Sequence, residues 1–236
     1  CLGNLTVGPE LKVYAEGKSN SIRLANHLCH ELTNSVQKIT VAWQLNSADI
    51  VDAVNRGQFD LVMGRIHLLE SYATQHLQNY IPIAKYPNYS ASIIAIGSKP
   101  QVTMAYLKDK RIGLIKSDKS LSGRIIPIGI MKDAHINIEE LNIINVASHN
   151  ELKKMLEGGE LDVIASYWSS ERFAGVQGID KLVIDANLEG SKWYLLSRWA
   201  NSDQGCLIEQ ALKSMASGGR NTHLKKLILI EDFCHA

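Results

Sequence analysis

One six-residue pattern occurs twice in this chain, once in each half. Residues 57–62 and 159–164 both read Gly, polar, apolar, Asp, apolar, apolar. Each copy follows a segment with helical spacing and leads into an apolar run, so each marks a junction where a helix ends on glycine and a strand begins. We interpret the copies as one α/β unit used twice; the alternative is coincidence between two common junctions. A chain of 236 residues has room for two lobes with a core each.

Strands and helices alternate in the first third of the chain. The apolar patterns predict strands at residues 11–15, 38–45 and 59–63, with helices at 21–32 and 47–55 between them. This order is typical of an α/β fold in which each lobe is a mainly parallel sheet with flanking helices.

The second copy of the pattern lies in a block of the same kind. Ser148 and Glu151 have the spacing of a capping box at the start of a helix, and a strand is predicted at residues 161–165. The later segments 206–216 and 223–230 have helical spacing, and we expect them to pack on the first lobe.

Two β-rich segments, residues 81–97 and 193–199, stand where the chain would leave one lobe and return to it. We therefore predict a first lobe of residues 1–92 plus 192–236 and a second lobe of residues 93–191. The two crossover strands would form a hinge, and ligands bind preferentially in clefts between domains.

The charge balance argues against nucleic acid as a partner. Lys and Arg total 25 and Asp and Glu total 24, a net charge of +1, whereas binding a polyanion needs a cationic excess. The apolar runs are far shorter than the ~20 residues of a membrane-spanning helix. Because the sequence contains no GxSxG, P-loop, GxGxxG or HExxH motif, we expect a protein that is not an enzyme and uses no cofactor or metal.

The four cysteines, Cys1, Cys29, Cys206 and Cys234, form no CxxC motif of a zinc or redox site. A first-position cysteine is typical of a processed bacterial lipoprotein, in which that residue carries the lipid; the alternative is a chain boundary that happens to fall there. Lipidation of Cys1 implies a place in the periplasm or cell envelope, with the lipid anchor as the only membrane contact. In that oxidising compartment we expect Cys206 and Cys234 to pair, and Cys29 to be a buried, inert thiol.

A candidate anion site lies after the strand predicted at residues 112–115. Ser120, Ser122 and Gly123 stand where the next helix begins. The free N–H groups of a helix start favour an anion when small hydroxyl side chains lie beside them, and Arg124 would add a forked donor. The alternative is that either serine only caps the helix.

The order of three short motifs resembles the periplasmic phosphonate-binding (PhnD-like) family of type II solute-binding proteins. The motifs are Ser120-Leu121-Ser122-Gly123 with Pro127 four residues on, Ser148-His149, and Gly159-Glu160-Leu161-Asp162. The resemblance covers residues 93–166 well and residues 55–64 loosely.

This resemblance implies a two-lobed periplasmic-binding-protein type II fold and assigns roles to individual residues. Ser120, Ser122 and His149 would hold the acidic head group of a ligand, with Ser148 beside them. Tyr89, in the first lobe, would close over that ligand. The physics agrees in part, because a histidine directly after a capping serine points near the same helix start and can donate to an anion.

At several positions this sequence differs from the family's pattern, and these differences limit which ligand contacts the resemblance implies. The family's threonine is Leu121 here, and a tyrosine that the family often carries is replaced by Ser47. The carboxylates that bind an aminoalkyl group have no secure counterpart, Glu171 and Glu189 being the nearest in position. The identity of the ligand is therefore not implied.

Two further residues follow predicted strands. Arg65, after the strand at residues 59–63, suits a carboxylate or phosphate, or else forms a surface salt bridge. Tyr167 occupies the equivalent place in the second lobe, where it would stack on a ligand or fill the core.

The sequence as a whole predicts an extracytoplasmic solute-binding protein that closes two lobes around a small anionic ligand. Its membrane partner would be the permease of an ABC-type importer, by resemblance to the family. The alternative is a sensory or accessory module of the same fold whose partner acts in signalling or assembly.

Overall fold

The structure, a computed structural model, describes residues 1–15, 18–43, 45, 47–64, 79–218, 227–230 and 234. The chain divides into two compact units, Cys1–Pro87 with Glu189–Ala236, and Asn88–Leu188. The sequence-based boundaries lie a few residues further along the chain at both crossings. No helix in the described ranges is long and apolar enough to cross a membrane.

The helices and strands of the described ranges follow one another along the chain in a fixed order. They are β1 (Glu10–Tyr14), α1 (Lys18–Glu31), β2 (Lys38–Ala42), α2 (Ser47–Asn55), β3 (Leu61–Gly64), β4 (Tyr80–Lys85), β5 (Tyr89–Ile96), α3 (Met104–Leu107), β6 (Arg111–Ile115), α4 (Ile126–Asp133), β7 (Asn142–Val146), α5 (His149–Glu157), β8 (Val163–Trp168), β9 (Ile179–Leu188), β10 (Lys192–Leu196), α6 (Asp203–Gly218) and β11 (Ile228–Leu229).

The two units repeat one strand order. The sheet of the first unit runs β11-β4-β10-β3-β1-β2, and that of the second runs β7-β6-β8-β5-β9. In each sheet the strand reached after a crossing between the units, β10 or β5, lies beside the third strand of a β-α-β-α-β unit. The α/β class is confirmed, and the pattern repeated in the sequence corresponds to a repeated topology.

Both sheets are mixed rather than mainly parallel. β1 pairs in parallel with β2 and β3, and β6 pairs in parallel with β7 and β8. β10 and β5 pair antiparallel with both of their neighbours. The β-α-β connections impose the parallel direction, whereas the crossover strands enter their sheets without such a connection.

Each sheet is covered on both faces by apolar side chains. In the second unit, Ile93 belongs to a buried cluster on one face and its neighbour Ile94 to a cluster on the other. In the first unit the successive residues Trp193, Tyr194 and Leu195 of β10 are 1%, 5% and 0% exposed, as expected for a strand buried on both faces.

The two copies of the sequence pattern form the same turn. Gly57 and Gly159 have φ angles of 61° and 70°, the left-handed region that favours glycine. In both copies the glycine N–H donates to the carbonyl three residues earlier, and the next N–H donates to the carbonyl five residues earlier. These are the two bonds of a Schellman motif, which ends α2 and α5 at equivalent points.

The aspartate of each copy then fastens the third strand to the first. Asp60 N donates to Lys12 O at 2.7 Å, and Lys12 N donates to Asp60 Oδ2 at 2.8 Å. Asp162 N donates to Arg111 O at 3.0 Å, and Arg111 N donates to Asp162 Oδ2 at 2.8 Å. This reciprocal pair of hydrogen bonds fixes the register of each third strand relative to the first strand of its unit.

The two aspartates differ in what else they bind. Asp60 is 1% exposed and accepts from Trp199 Nε1 at 2.9 Å and from the Arg198 guanidinium, both after β10. Burial and the Asp60 charge raise the pKa of Tyr80 to about 12. Asp162 instead binds the Arg111 side chain, from Nε at 3.0 Å and Nη2 at 2.8 Å.

Two sequence-based element assignments change at the C-terminal side. The strand expected at residues 193–199 ends with β10, and Ser197–Trp199 form a 3-10 turn. Of the helix expected at residues 223–230, the last part is wrong, because Ile228 and Leu229 form β11 against β4; residues 223–226 lie outside the described residues. The two-residue strand is too short for its pattern to differ from that of a helix.

All four cysteines form disulfides. The predicted bond between Cys206 and Cys234 is present, with Cα atoms 4.8 Å apart. The prediction of an inert thiol at Cys29 is wrong, because Cys29 is bonded to Cys1, with Cα atoms 6.2 Å apart. In the chain-entropy model, closing such loops stabilises a fold by roughly 3–4 kcal/mol each.

The Cys1–Cys29 bond also bears on the lipid anchor. A lipid thioether needs the same sulfur atom that the disulfide uses. Lipidation of Cys1 therefore stays a prediction, and it applies only to protein without this disulfide. Hydrogen bonds join this end of the chain to β2: the Cys1 amino group donates to Ile39 O at 2.9 Å, and Ile39 N donates to Cys1 O at 3.0 Å.

We expect none of the four cysteines to react with a thiol reagent in unreduced, denatured protein, and all four to react after reduction. Mass spectrometry of the labelled chain measures the number of adducts. Two free thiols at Cys1 and Cys29, with Cys206 and Cys234 still bonded, would contradict the first disulfide alone.

The Asp162→Asn variant should alter stability in acid. The hydrogen bond from Arg111 lowers the pKa of the Asp162 carboxyl from 3.8 to about 2. A folded-state pKa below the unfolded one contributes stability above about pH 4, and this contribution is lost as the pH falls toward 2. Urea melts across this pH range should therefore show a weaker pH dependence for Asp162→Asn than for the native chain, and an unchanged dependence would refute the assignment.

Candidate functional site

The candidate site lies at one edge of the second sheet, which we call the carboxyl edge. The parallel strands β6, β7 and β8 all end there. β5 runs antiparallel to β8, so its first residue, Tyr89, lies at the same edge. Open α/β sheets place their ligands at this edge, because the loops that follow the strands meet there.

The segment after β6 begins with a wide helical turn. Residues Leu121–Ile125 form a π-helical turn, and α4 follows at Ile126. Pro127 stands in the first turn of α4, directly after the wide turn, where its fixed φ suits a helical backbone. Such wide turns are frequent at functional sites.

Ser120 precedes this turn without capping it through its side chain. Its backbone is extended, and its hydroxyl makes no capping bond to the turn. The backbone carbonyl of Ser120 instead accepts from Arg124 N at 3.0 Å and Ile125 N at 2.9 Å. Capping therefore does not account for the Ser120 hydroxyl.

Gly123 lies where three groups come together. A Cβ atom at this position would stand 2.3 Å from Ile115 Cγ1, 2.8 Å from Ser120 Oγ and 2.9 Å from His149 Cε1. The Ser120 hydroxyl and the His149 ring therefore both lie against the backbone of Gly123. The sequence motifs at residues 120–123 and 148–149 are brought into contact by the fold, and only a residue without a side chain fits between them.

Ser148 acts as the cap of α5. Its hydroxyl accepts from Glu151 N at 3.2 Å, and the Glu151 carboxylate accepts from Ala147 N at 2.9 Å. The capping interaction predicted from the Ser148–Glu151 spacing is present. His149 is then the first residue of α5, beside the positive end of its helix dipole.

The His149 ring contacts side chains near the C-terminal end of β8. Its Nδ1 lies 2.8 Å from Ser166 Oγ, and its ring centre lies 5.0 Å from that of Tyr167, in an edge-to-face arrangement. Tyr167 makes a second edge-to-face contact with Tyr89, with centroids 6.5 Å apart. The structure thus brings His149, Tyr167 and Tyr89 together within the second unit, whereas the sequence analysis assigned Tyr89 to the first lobe.

Arg172 is the residue that the sequence analysis missed. Its Nη1 donates to Tyr167 Oη at 2.7 Å and to Asn150 Oδ1 at 3.0 Å, and its Nη2 donates to the His149 carbonyl. Its guanidinium carbon also lies 4.7 Å from the centre of the Tyr167 ring. Arg172 stands in the irregular segment between β8 and β9, where no pattern marks it.

The Arg172 guanidinium brings a positive charge to the carboxyl edge. Arg172 binds neutral oxygen atoms, and it forms no salt bridge with any residue in the described part of the chain. The starts of two helical segments add their N–H groups. This edge therefore favours an anion, although the whole chain carries a net charge of only +1.

Other predicted site residues have different surroundings. Arg124 donates from Nη1 to Asn145 Oδ1 at 2.7 Å and to Ile115 O at 3.2 Å, which fastens the turn to the sheet. Ser122 is 3% exposed. Ligand contacts by these two residues stay predictions, and Arg65 lies outside the described residues.

The two acidic residues named from the sequence have different surroundings, and a ligand contact by either stays a prediction. Glu171 is exposed, and Glu189, in the first unit, forms an ion pair with Lys192 at 2.5 Å. Among the residues that the structure describes, no group of three or more His, Cys, Asp or Glu side chains is arranged to hold a metal ion.

Solved structures confirm the predicted fold class, the α/β type II fold of periplasmic binding proteins. PhnD1 from Prochlorococcus marinus, in complex with methylphosphonate, matches with a TM-score of 0.60 and 15% identity over 96% of this chain and 95% of that chain. A binding protein component of an ABC phosphonate transporter from Pseudomonas aeruginosa matches with a TM-score of 0.57 and 14% identity, over 94% and 82%. A Xanthomonas citri protein bound to ATP has a TM-score of 0.57 and 13% identity, over 88% and 84%.

Because these sequence identities are low, the similarity to the solved structures establishes the fold alone. No family model matches the sequence, and no curated protein matches it.

Gly123→Ala should damage this edge while the matched Gly129→Ala does not. The added Cβ at residue 123 would meet Ile115, Ser120 and His149, whereas the Cβ at residue 129, within α4, would meet nothing within 4 Å. We expect Gly123→Ala to lower the free energy of unfolding by about 1–3 kcal/mol. Gly129→Ala should raise it by up to about 1 kcal/mol.

Urea unfolding of the two variants measures this difference. Both variants carry the same substitution in neighbouring helical segments, so helix propensity alone would move them in the same direction. Equal effects of the two substitutions would contradict the close packing of Ser120, Gly123 and His149.

Proposed function

We propose that this chain is an extracytoplasmic solute-binding protein that holds the oxyanion head group of a small ligand at the carboxyl edge of its second unit. The observation that carries the proposal is the contact of the Ser120 hydroxyl and the His149 ring with the backbone of Gly123. The Ser120 hydroxyl, the His149 imidazole and the N–H groups at the start of the helical turn therefore lie close together.

The chemistry of these groups favours an oxyanion over a cation or an apolar ligand. Backbone N–H groups at a helix start and an imidazole N–H are donors, and a hydroxyl can donate as well. Arg172 adds a positive charge that no carboxylate among the described residues neutralises. Hydrogen bonds from such donors to an ionised group are the stronger kind, about 1.5–3 kcal/mol each.

The fold supports a role in binding. One solved protein with this fold is bound to methylphosphonate, and another is a binding protein component of an ABC phosphonate transporter. We infer an anion of this general size, with a phosphonate or a related acid as the first candidates. The permease of an ABC-type importer is the proposed partner, with a signalling or assembly partner as the second candidate.

The two disulfides support a location outside the cytoplasm. Disulfides persist in oxidising compartments such as the periplasm and are rare in the cytosol. We therefore propose the periplasm or cell envelope; a lipid on the Cys1 sulfur would require protein in which the Cys1–Cys29 disulfide is absent.

A thermal-shift and calorimetric screen against sulfate, phosphate, methylphosphonate, methanesulfonate and small carboxylates tests the proposal. At least one oxyanion should raise the melting temperature and bind in calorimetry. Ser120→Ala and His149→Ala should each weaken that binding about tenfold to a hundredfold, because each removes a hydrogen bond to a charged group.

Thr103→Ala is the matched control. It also removes a hydroxyl from the second unit, but Thr103 caps α3 before the start of β6, at the opposite end of the strands from the carboxyl edge. Its affinity for the anion should equal that of the native chain. Binding that survives intact in the Ser120→Ala/His149→Ala double variant would place the ligand elsewhere, and the absence of binding by every anion would refute the proposal.

A further inference from the structure

Behind the His149 ring lies a buried pair of serines. Ser166 on β8 and Ser92 on β5 are directly paired across the two antiparallel strands, and both are 0% exposed. Ser166 Oγ lies 2.8 Å from His149 Nδ1. Ser92 Oγ has no hydrogen-bond partner among the described residues, so the hydroxyl of Ser166 is not bonded to it.

The direction of the hydrogen bond between Ser166 Oγ and His149 Nδ1 decides which nitrogen of the His149 ring carries the proton. A buried hydroxyl that fails to donate costs free energy, and His149 Nδ1 is the group that Ser166 Oγ contacts. When Ser166 donates to Nδ1, this ring nitrogen is an acceptor and the single proton of the neutral ring is on Nε2. His149 then acts as a hydrogen-bond donor through Nε2.

Arg172 constrains the Tyr167 hydroxyl in a similar way, through a hydrogen bond. A guanidinium can only donate, so the contact of 2.7 Å between Arg172 Nη1 and Tyr167 Oη makes the phenol oxygen an acceptor. The phenol proton must then point to another group. The contacts of the same guanidinium with the His149 carbonyl and with the face of the Tyr167 ring hold it in that position.

We propose that Ser166 and Arg172 are positioning residues that hold His149 and Tyr167 as hydrogen-bond donors. This inference rests on the proposed function, since the donors would face the ligand's head group. A site ordered in this way favours an oxyanion whose oxygens only accept hydrogen bonds, and it disfavours one that carries an O–H group of its own. Ser166 and Arg172 need not touch the ligand themselves.

The first experiment needs no ligand. Nitrogen-15 spectra of the full chain at about pH 8.5, where an ordinary imidazole is neutral, report which nitrogen of His149 carries the proton. We expect Nε2–H in the native chain and a mixture of both forms in Ser166→Ala. A proton on Nδ1 of the native chain would overturn the role of Ser166 even if the variant fails to fold, and so would an unchanged tautomer in a folded variant.

The second experiment compares sulfate with hydrogen phosphate at the same pH. Both ions are dianionic and similar in size, but hydrogen phosphate keeps one O–H group. We expect sulfate to bind about tenfold tighter or more, because the extra donor of hydrogen phosphate faces other donors. Ser166→Ala should reduce this ratio toward one. Equal binding by the native chain, or tighter binding of hydrogen phosphate, would overturn the inference.

The third experiment is a double-mutant cycle between Arg172→Met and Tyr167→Phe. Loss of the Tyr167 hydroxyl should weaken sulfate binding about tenfold in the native chain, but roughly twofold or less in Arg172→Met, where nothing directs that hydroxyl. Additive effects would show that Arg172 does not act through Tyr167. Arg111→Met is the control: it removes a guanidinium network at the start of β6 and should lower stability without changing the ratio of sulfate to hydrogen phosphate.

The experiments separate the inference from the proposed function. If no anion binds but His149 carries its proton on Nε2 in a manner that depends on Ser166, the proposed function fails and the positioning role of Ser166 holds. If sulfate and hydrogen phosphate bind equally through Ser120 and His149, the proposed function holds and the inference fails.

Discussion

An aspartate directly before the third strand of each unit, Asp60 before β3 and Asp162 before β8, determines the register of that strand. The site depends on this register. Asp60 exchanges two hydrogen bonds with Lys12 of β1, and Asp162 exchanges two with Arg111 of β6, at 2.7–3.0 Å. Each bond to a backbone N–H uses an ionised acceptor and is therefore stronger than an ordinary one. A slip of one residue would turn every side chain of β3 or β8 to the opposite face, so this contact decides which residues of those strands meet the flanking helices.

In the second unit, that register explains why the site residues meet. Gly113 of β6 pairs with Ile164 of β8, and Ser166 lies two residues further along, at the carboxyl edge. There it reaches the ring of His149, the first residue of α5. The Schellman turn at the end of α5 leads directly into the Asp162 contact, so one short segment sets both the end of the helix and the register of the strand. The position of His149 thus depends on a contact at the far end of β8.

The chemistry at the carboxyl edge depends on local donors and not on the overall charge. The chain is nearly neutral, with 25 basic and 24 acidic residues, so its long-range field attracts no particular ion. Two helical starts, the His149 imidazole and the Arg172 guanidinium lie within the second unit, whereas Glu189, one of the two carboxylates named from the sequence, belongs to the first unit. A small ion that reaches this edge would meet oriented hydrogen bonds, which act over a few ångströms and are less sensitive to salt than an exposed charge.

The sequence by itself determined the features that depend on neighbouring residues. These are the β-α-β-α-β order, the glycine turns, the cap at Ser148, and the two motifs at residues 120–123 and 148–149. The tertiary structure alone decided which distant residues meet: the bond of Cys29 to Cys1, the place of Tyr89 in the second unit, and the contacts of Arg172 with Tyr167 and His149. Helical spacing indicated an apolar environment for Cys29 but not the residue that it would face. The physical reason is that periodicity and capping are short-range properties of the backbone, whereas a partner far along the chain is chosen only when the sheets and helices pack.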